Sequence, residues 1–148
     1  MAEGDITVYN DFKEQLFNKV HNLAAAGDTV QITLHTGYTP NIDTHQVWGD
    51  AGVSSTEYTT GSGYTADTKV LATKTVTQDN TNDRMLFDAD DVVWTSLGPL
   101  TPATPSHAII RENSTGILIC YIVLGATATN GGNYTLQFNA LPAILSLT

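Results

Sequence analysis

The chain has 148 residues, of which 41% are hydrophobic, and it carries 15 Asp and Glu against 6 Lys and Arg, a formal net charge of -9. That length allows one domain with its own core, and the acidic balance argues against nucleic acid, whose phosphates require cationic side chains. The longest apolar run, about eight residues, is too short to span a bilayer. We therefore expect one domain over residues 1–148, made in a cytoplasm without a secretory signal, that binds neither nucleic acid nor membrane.

The first predicted element is a helix that begins at Asn10, a favourable N-cap residue, and ends near residue 26, where Gly27 is the expected stop. Its apolar residues recur at helical spacing on one stripe, which comprises Phe12, Leu16, Phe17, Val20, Leu23 and Ala24. The stripe predicts a helix that packs on a sheet.

From residue 30 the apolar period changes from helical spacing to alternation, which predicts a half-buried strand. Its apolar face holds Val30, Ile32 and Leu34, and its polar face holds Gln31, Thr33 and His35. Further strands are predicted over residues 68–78, 84–88, 92–96, 107–111, 117–124, 133–139 and 143–147.

The near-continuous apolar runs 117–124 and 141–147 predict strands that are covered on both faces. Abundant threonine also favours strands. We therefore expect a mainly β fold, an antiparallel β-sandwich or jelly-roll-like domain with one N-terminal α-helix.

Residues 37–63 lack a clear period, although aromatic residues stand among the Gly, Thr, Ser and Asn. Long loops in compact domains are often functional, and scattered aromatics indicate burial against something. Two interpretations are open. The aromatics contact a partner, or Trp48 and its neighbours fold back on their own sheet.

The sequence contains no recognisable catalytic motif. His21, His35, His45 and His107 lack the spacing of a zinc site, and no nucleophile elbow or phosphate-binding loop is present. We predict no catalytic residue, no metal site and no cofactor, hence no enzyme, although paired glycosidase carboxylates are defined only in three dimensions.

Two smaller features receive structural interpretations. The acidic residues between 79 and 91 could offer oxygens to Ca²⁺, but they lack the order of an EF-hand, and turn formation is favoured. Cys120, the sole cysteine, lies in an apolar run and is expected to be a small buried hydrophobe.

Blocks spread over nearly the whole chain resemble successive segments of a family of small structural proteins of tailed-phage virions. They include ITVYNDFK at 6–13, YTPNIDTH at 38–45, GSGYT at 61–65, TVTQDNTND at 75–83, FDADDVVW at 87–94, LQFNA at 136–140 and ILSLT at 144–148. The resemblance implies a capsid cement, or decoration, protein on the exterior of the virion. Its implied partners are the major capsid protein and other copies of itself, with a trimer favoured. A tail or neck component, and a carbohydrate-binding module that stacks sugars on Trp48 and exposed tyrosines, are the alternatives.

Two segments are predicted to contact the capsid or sister subunits: Glu3–Tyr9, which is short, polar and terminal and hence free to dock, and the 37–63 loop. The core is expected to begin with a strand near Ile6, so removal of residues 1–5 should leave the fold intact. The candidate contact residues are Glu3, Asp5, Tyr9, Tyr38, Ile42, His45, Val47, Trp48 and Tyr58. Trp48 is the expected anchor, because large aromatic rings dominate binding hot spots, whereas Trp94 follows two valines in a strand and is assigned to the core.

Overall fold

A computed structural model describes residues 4–138 and 143–147 of the chain. Strands account for 33% and helix for 8%, so the predicted mainly β, antiparallel fold with one N-terminal helix is confirmed and is consistent with a β-sandwich. In chain order the elements are β1 (Ile6–Val8), α1 (Asn10–Phe17), β2 (Val30–His35), a short 3₁₀-helix (Ser54–Thr56), β3 (Thr75–Asp79), β4 (Arg84–Asp88), β5 (Val92–Trp94), β6 (His107–Glu112), β7 (Leu118–Val123), β8 (Tyr134–Leu136) and β9 (Leu145–Leu147).

The described strands form three antiparallel sheets. The largest has the order β1-β7-β6-β2, the second β3-β4-β9, and the third pairs β5 with β8. A register shift in the β6–β7 ladder falls between Ile110 and Arg111, so the bulge there redirects the following side chains.

The four-stranded sheet is buried on both faces. One face carries Ile32, Ile110 and Cys120 into the main core, and the opposite face packs Ile109 and Tyr121 into a second, smaller core. All six residues of β2 are buried, so the predicted half-burial of this strand is wrong. The 37–63 loop covers the face that the polar side chains of β2 share.

The helix is shorter than predicted, because the chain leaves the helical path after Phe17. Lys19 adopts a left-handed conformation with φ of 57°. The Val20 N–H donates to the Gln15 carbonyl and the Lys19 N–H to the Leu16 carbonyl, which is the Schellman arrangement that ends a helix. The predicted start near Asn10 is confirmed, but Tyr9 rather than Asn10 occupies the N-cap position, and its side chain makes no capping hydrogen bond.

The early helix end changes which apolar residues are buried. Phe12 lies in the core, but Phe17 is 90% exposed and Val20 is 50% exposed, against the prediction that both lie on a buried stripe. Gly27 does not stop a helix; it belongs to a loop, where a Cβ would lie 2.0 Å from the Asn22 carbonyl oxygen.

The strand predicted at 84–88 is found with the same bounds, as β4. The other predicted strands are found with shorter or shifted ends. The largest change is in β3, which begins at Thr75 rather than at residue 68. The run 117–124 is covered as predicted, with β7 buried except at Val123. The run 141–147 is not, because Ser146 and Leu147 are exposed, and residues 141–142 lie outside the described residues. The end of the strand predicted at 133–139 also lies outside them. Among the described helices, none has the length and apolar character needed to cross a membrane.

Candidate interaction site

The 37–63 loop forms a layer over the polar face of β2 and β6. Two of its own residues, Tyr38 and Val53, are buried in the smaller core on this face, whereas Tyr58, farther along the loop, packs into the main core. The Trp48 N–H donates to the Gly116 carbonyl at 2.8 Å, and the Tyr58 N–H donates to the Leu34 carbonyl at 3.1 Å. Of the two interpretations open from sequence, folding back on its own sheet is confirmed for this loop.

Aromatic and imidazole rings converge between the loop and the sheet. We call this group the tyrosine–histidine cluster; it comprises Tyr9, His35, Tyr38, His45, His107 and Tyr121. Tyr38 lies at its centre, with its ring centroid 5.6 Å from those of the three histidines. Its hydroxyl is 2.5 Å from the Tyr9 hydroxyl and 2.9 Å from Nδ1 of His45.

His35 is fully buried in this cluster and holds one hydrogen bond on each ring nitrogen. Nδ1 lies 2.9 Å from the Thr56 hydroxyl and Nε2 lies 2.8 Å from the Thr33 hydroxyl. The Thr56 hydroxyl donates to the Val53 carbonyl at 2.8 Å, whereas the Thr33 hydroxyl has only a longer alternative, the Ile109 carbonyl at 3.4 Å. The shorter bond makes Thr56 the acceptor of Nδ1–H, and Thr33 then donates to Nε2 of the neutral imidazole. Burial, followed by the nearby His107, lowers the pKa of His35 to about 3.

The hydroxyls of Tyr9 and Tyr38 are also held in their neutral form. Burial, reinforced by its bond to Tyr38, raises the pKa of Tyr9, and burial likewise raises the pKa of Tyr38. Neutral, enclosed and mutually bonded groups give the loop a fixed position. The cluster therefore acts as the base on which the outer loop surface is built.

Trp48 lies half-buried at the edge of this layer. The Arg111 guanidinium stacks on its ring, 4.5 Å from the centroid, and the His35 ring approaches it edge-on. Arg111 is itself buried, donates to Gln31 at 2.6 Å and forms an ion pair with Asp67. Trp48 thus covers a buried cation in addition to any contact with a partner.

The outer surface of the loop is fixed by turns. The Asn41 side chain accepts the backbone N–H of Asp43 and Thr44, and the Asp50 carboxylate accepts those of Gln46 and Val47. The Asn10 amide donates to Asp43 at 2.6 Å and ties the loop to the start of α1. Among the exposed residues from 37 to 53, only Asp43 is charged.

The N-terminal segment is not a free arm over its described part. Residues 6–8 form β1, paired with β7, and the Gly4 N–H and the Asp5 carbonyl bond to the backbone of Val123. The strand expected near Ile6 is confirmed as β1, but Gly4 and Asp5 are not free to dock as predicted, because their backbone groups extend the pairing with β7. Glu3 lies outside the described residues.

The candidate contact residues divide into two groups. Tyr9, Tyr38 and Tyr58 are buried inside the domain and have little surface for a partner. Those that keep a partly exposed side chain are Asp5, Ile42, His45, Val47 and Trp48. Sequence reasoning found the loop but missed the role of His35 and His107 beneath it.

The acidic stretch forms a turn at residues 80–83, as its sequence favours, whereas Asp88 ends β4 and residues 89–91 link that strand to β5 without a turn. Asp79 accepts from Arg84 at 2.8 Å and from the backbone of Thr81 and Asn82, and Asp91 accepts the Phe138 N–H at 2.9 Å. Within residues 4–138 and 143–147, no group of three or more His, Cys, Asp or Glu side chains is placed to hold a metal ion. Cys120 is buried, as predicted.

Comparison with known proteins identifies no relative: no protein-family model matches the chain, and no curated protein or solved structure matches it significantly.

Proposed function

We propose that the protein is a non-enzymatic structural component of a tailed-phage virion that binds the outside of the major capsid shell and stabilises it as a cement protein. The observation that carries the proposal is the outer surface of the 37–63 loop. It is held by hydrogen bonds and carries few charges, on a chain whose net charge is -9. The resemblance described above supplies the class of partner.

A surface of this kind suits docking on a protein shell. Since the turns at Asn41 and Asp50 already fix the loop, binding would order little additional backbone. Ile42, Val47 and Trp48 offer partly exposed apolar area among small polar side chains. Many copies bound to one shell would add their individual contacts.

The alternatives have less support. All six tyrosines are buried, and Arg111 already stacks on the Trp48 ring, so a carbohydrate-binding module would lack its expected platforms. A tail or neck component would use a similar docking surface and differs only in its place on the particle. The resemblance implies a trimer, whereas the open strand edge described below favours a dimer, and the sizing experiment given there distinguishes the two.

The test is a titration of purified protein onto capsids that lack it, with occupancy read from the bound fraction. Thr44→Arg adds a long cation to the exposed loop surface and should lower affinity by roughly tenfold or more if that surface docks. Thr95→Arg makes the same change at an exposed turn and should bind like the unmodified protein.

Particle imaging separates the head from the tail. Immunogold label on the capsid supports the proposal. Label confined to the tail would overturn the proposed partner. Normal capsid occupancy by the Thr44→Arg protein would overturn the proposed docking surface.

A further inference from the structure

Strand β3 is the least covered strand of the described fold. It pairs only with β4, and among the described residues no strand lies along its other edge. Residues 75–78 are exposed on both faces of the sheet. The backbone N–H and C=O groups of the open edge therefore face solvent, where another strand can pair with them.

The usual devices that block such an edge are absent from β3. Its sequence, TVTQD, contains no Lys and no Pro, and its register with β4 is regular over all five residues. Its one charge, Asp79, lies at the end of the strand and is neutralised by Arg84, 2.8 Å away. Within the described part of the chain the edge is thus unpaired, and the nearest further carboxylate is that of Asp88, opposite Thr75 on β4.

An apolar groove lies over one face of this sheet and crosses β3, β4 and β9. Val76, Met85 and Leu147 line it and are 45%, 41% and 46% exposed. The other wall includes Leu16 and Leu23, and the groove encloses about 270 Å³. Val76 therefore leaves apolar surface exposed on β3 itself, next to that of β4 and β9.

We propose that β3 pairs antiparallel with β3 of a second copy of this chain, across a two-fold axis at Thr77, to give a continuous six-stranded sheet. In this register Thr77 lies opposite its own copy, Val76 lies opposite Gln78, and Thr75 lies opposite Asp79. Like charges do not face each other, and Thr–Thr pairs across strands are favourable.

The charge of the chain limits where a second copy can approach. Two molecules that each carry a net charge of -9 repel over most of their surfaces, so they approach most easily where carboxylates are few or paired. A two-fold axis presents the same patch on both copies, and the sequence of β3 is complementary to itself in that orientation. This inference concerns the isolated protein and does not depend on capsid binding.

The experiment measures the mass of the full-length protein in solution by light scattering after size exclusion, over a range of concentrations. A dimer of the 15.8 kDa chain is expected. Thr77→Lys places two lysines opposite each other and should weaken dimerisation by roughly tenfold. Thr95→Lys adds the same charge at an exposed turn and should leave the dimer intact. Circular dichroism verifies that both variants remain folded.

A cross-linking variant tests the register directly. Thr77→Cys should form a disulfide-linked dimer on mild oxidation, because the two side chains meet at the axis, whereas Thr95→Cys should not. Cys120 is buried and should not interfere. A monomer at every concentration, a trimer, or a dimer that is unchanged by Thr77→Lys and forms no Thr77→Cys cross-link would overturn the proposal.

Discussion

Acid should destabilise the fold through His35 at pH values where carboxylates are still ionised. This side chain is fully buried, and its pKa is about 3 in the folded protein, against 6.5 for an ordinary imidazole. Above pH 6.5 the imidazole is neutral in both the folded and the unfolded chain, so it adds no pH dependence. Between pH 6.5 and 3 only the unfolded chain binds the proton, so stability falls as the pH falls.

The magnitude follows from the interval between the two pKa values. Each pH unit inside this interval lowers the free energy of unfolding by about 1.4 kcal/mol, so the loss between pH 7.5 and pH 5 is about 2 kcal/mol from His35 alone. Burial also lowers the pKa of His107, which acts in the same direction. Glu57 opposes both, since burial raises its pKa and its protonation in the folded state favours folding as the pH falls.

Two other carboxylates act at lower pH. Burial alone would raise the pKa of Glu112, but hydrogen bonds from Thr115 and Ser114 lower it to about 2. Hydrogen bonds from Asn82 and Arg84 lower the pKa of Asp79 to about 2 as well. Their stabilisation is present above the ordinary carboxyl pKa and is lost as the pH falls through the range from about 4.5 to 2. Above pH 5 the histidines therefore dominate the acid loss.

The assay is urea unfolding of the wild-type protein and a His35→Gln variant at pH values from 7.5 to 5. Glutamine offers one donor and one acceptor group but cannot be protonated, so the variant should lose about 2 kcal/mol less over this range, whatever its stability at pH 7.5. Equal pH slopes in the two proteins would refute the assignment of a buried, neutral His35.

Three further predictions concern buried groups. Trp94→Ala should lower the free energy of unfolding by about 3–5 kcal/mol, because Trp94 lies in the main core. Trp48→Ala should lower the free energy of unfolding less, because Trp48 is partly exposed. Equal losses in urea melts would contradict these placements. Asp67→Asn should destabilise by about 1.5–3 kcal/mol, because the buried guanidinium loses its charged partner, whereas the matched change at the exposed turn residue Asp83 should be neutral in the same melts. Cys120, enclosed and with its thiol pKa raised by burial, should react with a thiol reagent only as fast as the chain unfolds; rapid labelling of the folded protein would place it at the surface.

Sequence patterns were sufficient for elements whose ends are marked locally. The strand over 84–88 lies between turn-forming Asn and Asp residues, and its predicted bounds match β4. The helix end was missed because Lys19, rather than a glycine, adopts the left-handed conformation, and an apolar stripe continues past it in the sequence. Exposure of Phe17 follows from that single backbone change.

The burial of the polar face of β2 could not be predicted from the alternation of apolar and polar residues. Alternation distinguishes the two faces of a strand, but it does not show whether another segment covers the polar face. Tyr9 and Tyr38 are 29 residues apart in the chain, and the Arg111–Asp67 pair spans 44 residues. Such contacts depend on how the loop folds back, which short-range periodicity does not encode. The loop itself was recognisable because it contains aromatic residues in a long segment without the periodicity of a helix or a strand.

The central claim is that this chain decorates the outside of a phage head through its 37–63 loop. Electron cryomicroscopy of particles with and without the protein tests it most directly. The account predicts additional density outside the major capsid shell, with the Asn41–Thr44 turn facing that shell. Density found only at the tail or neck, with the shell identical in the two samples, would contradict it.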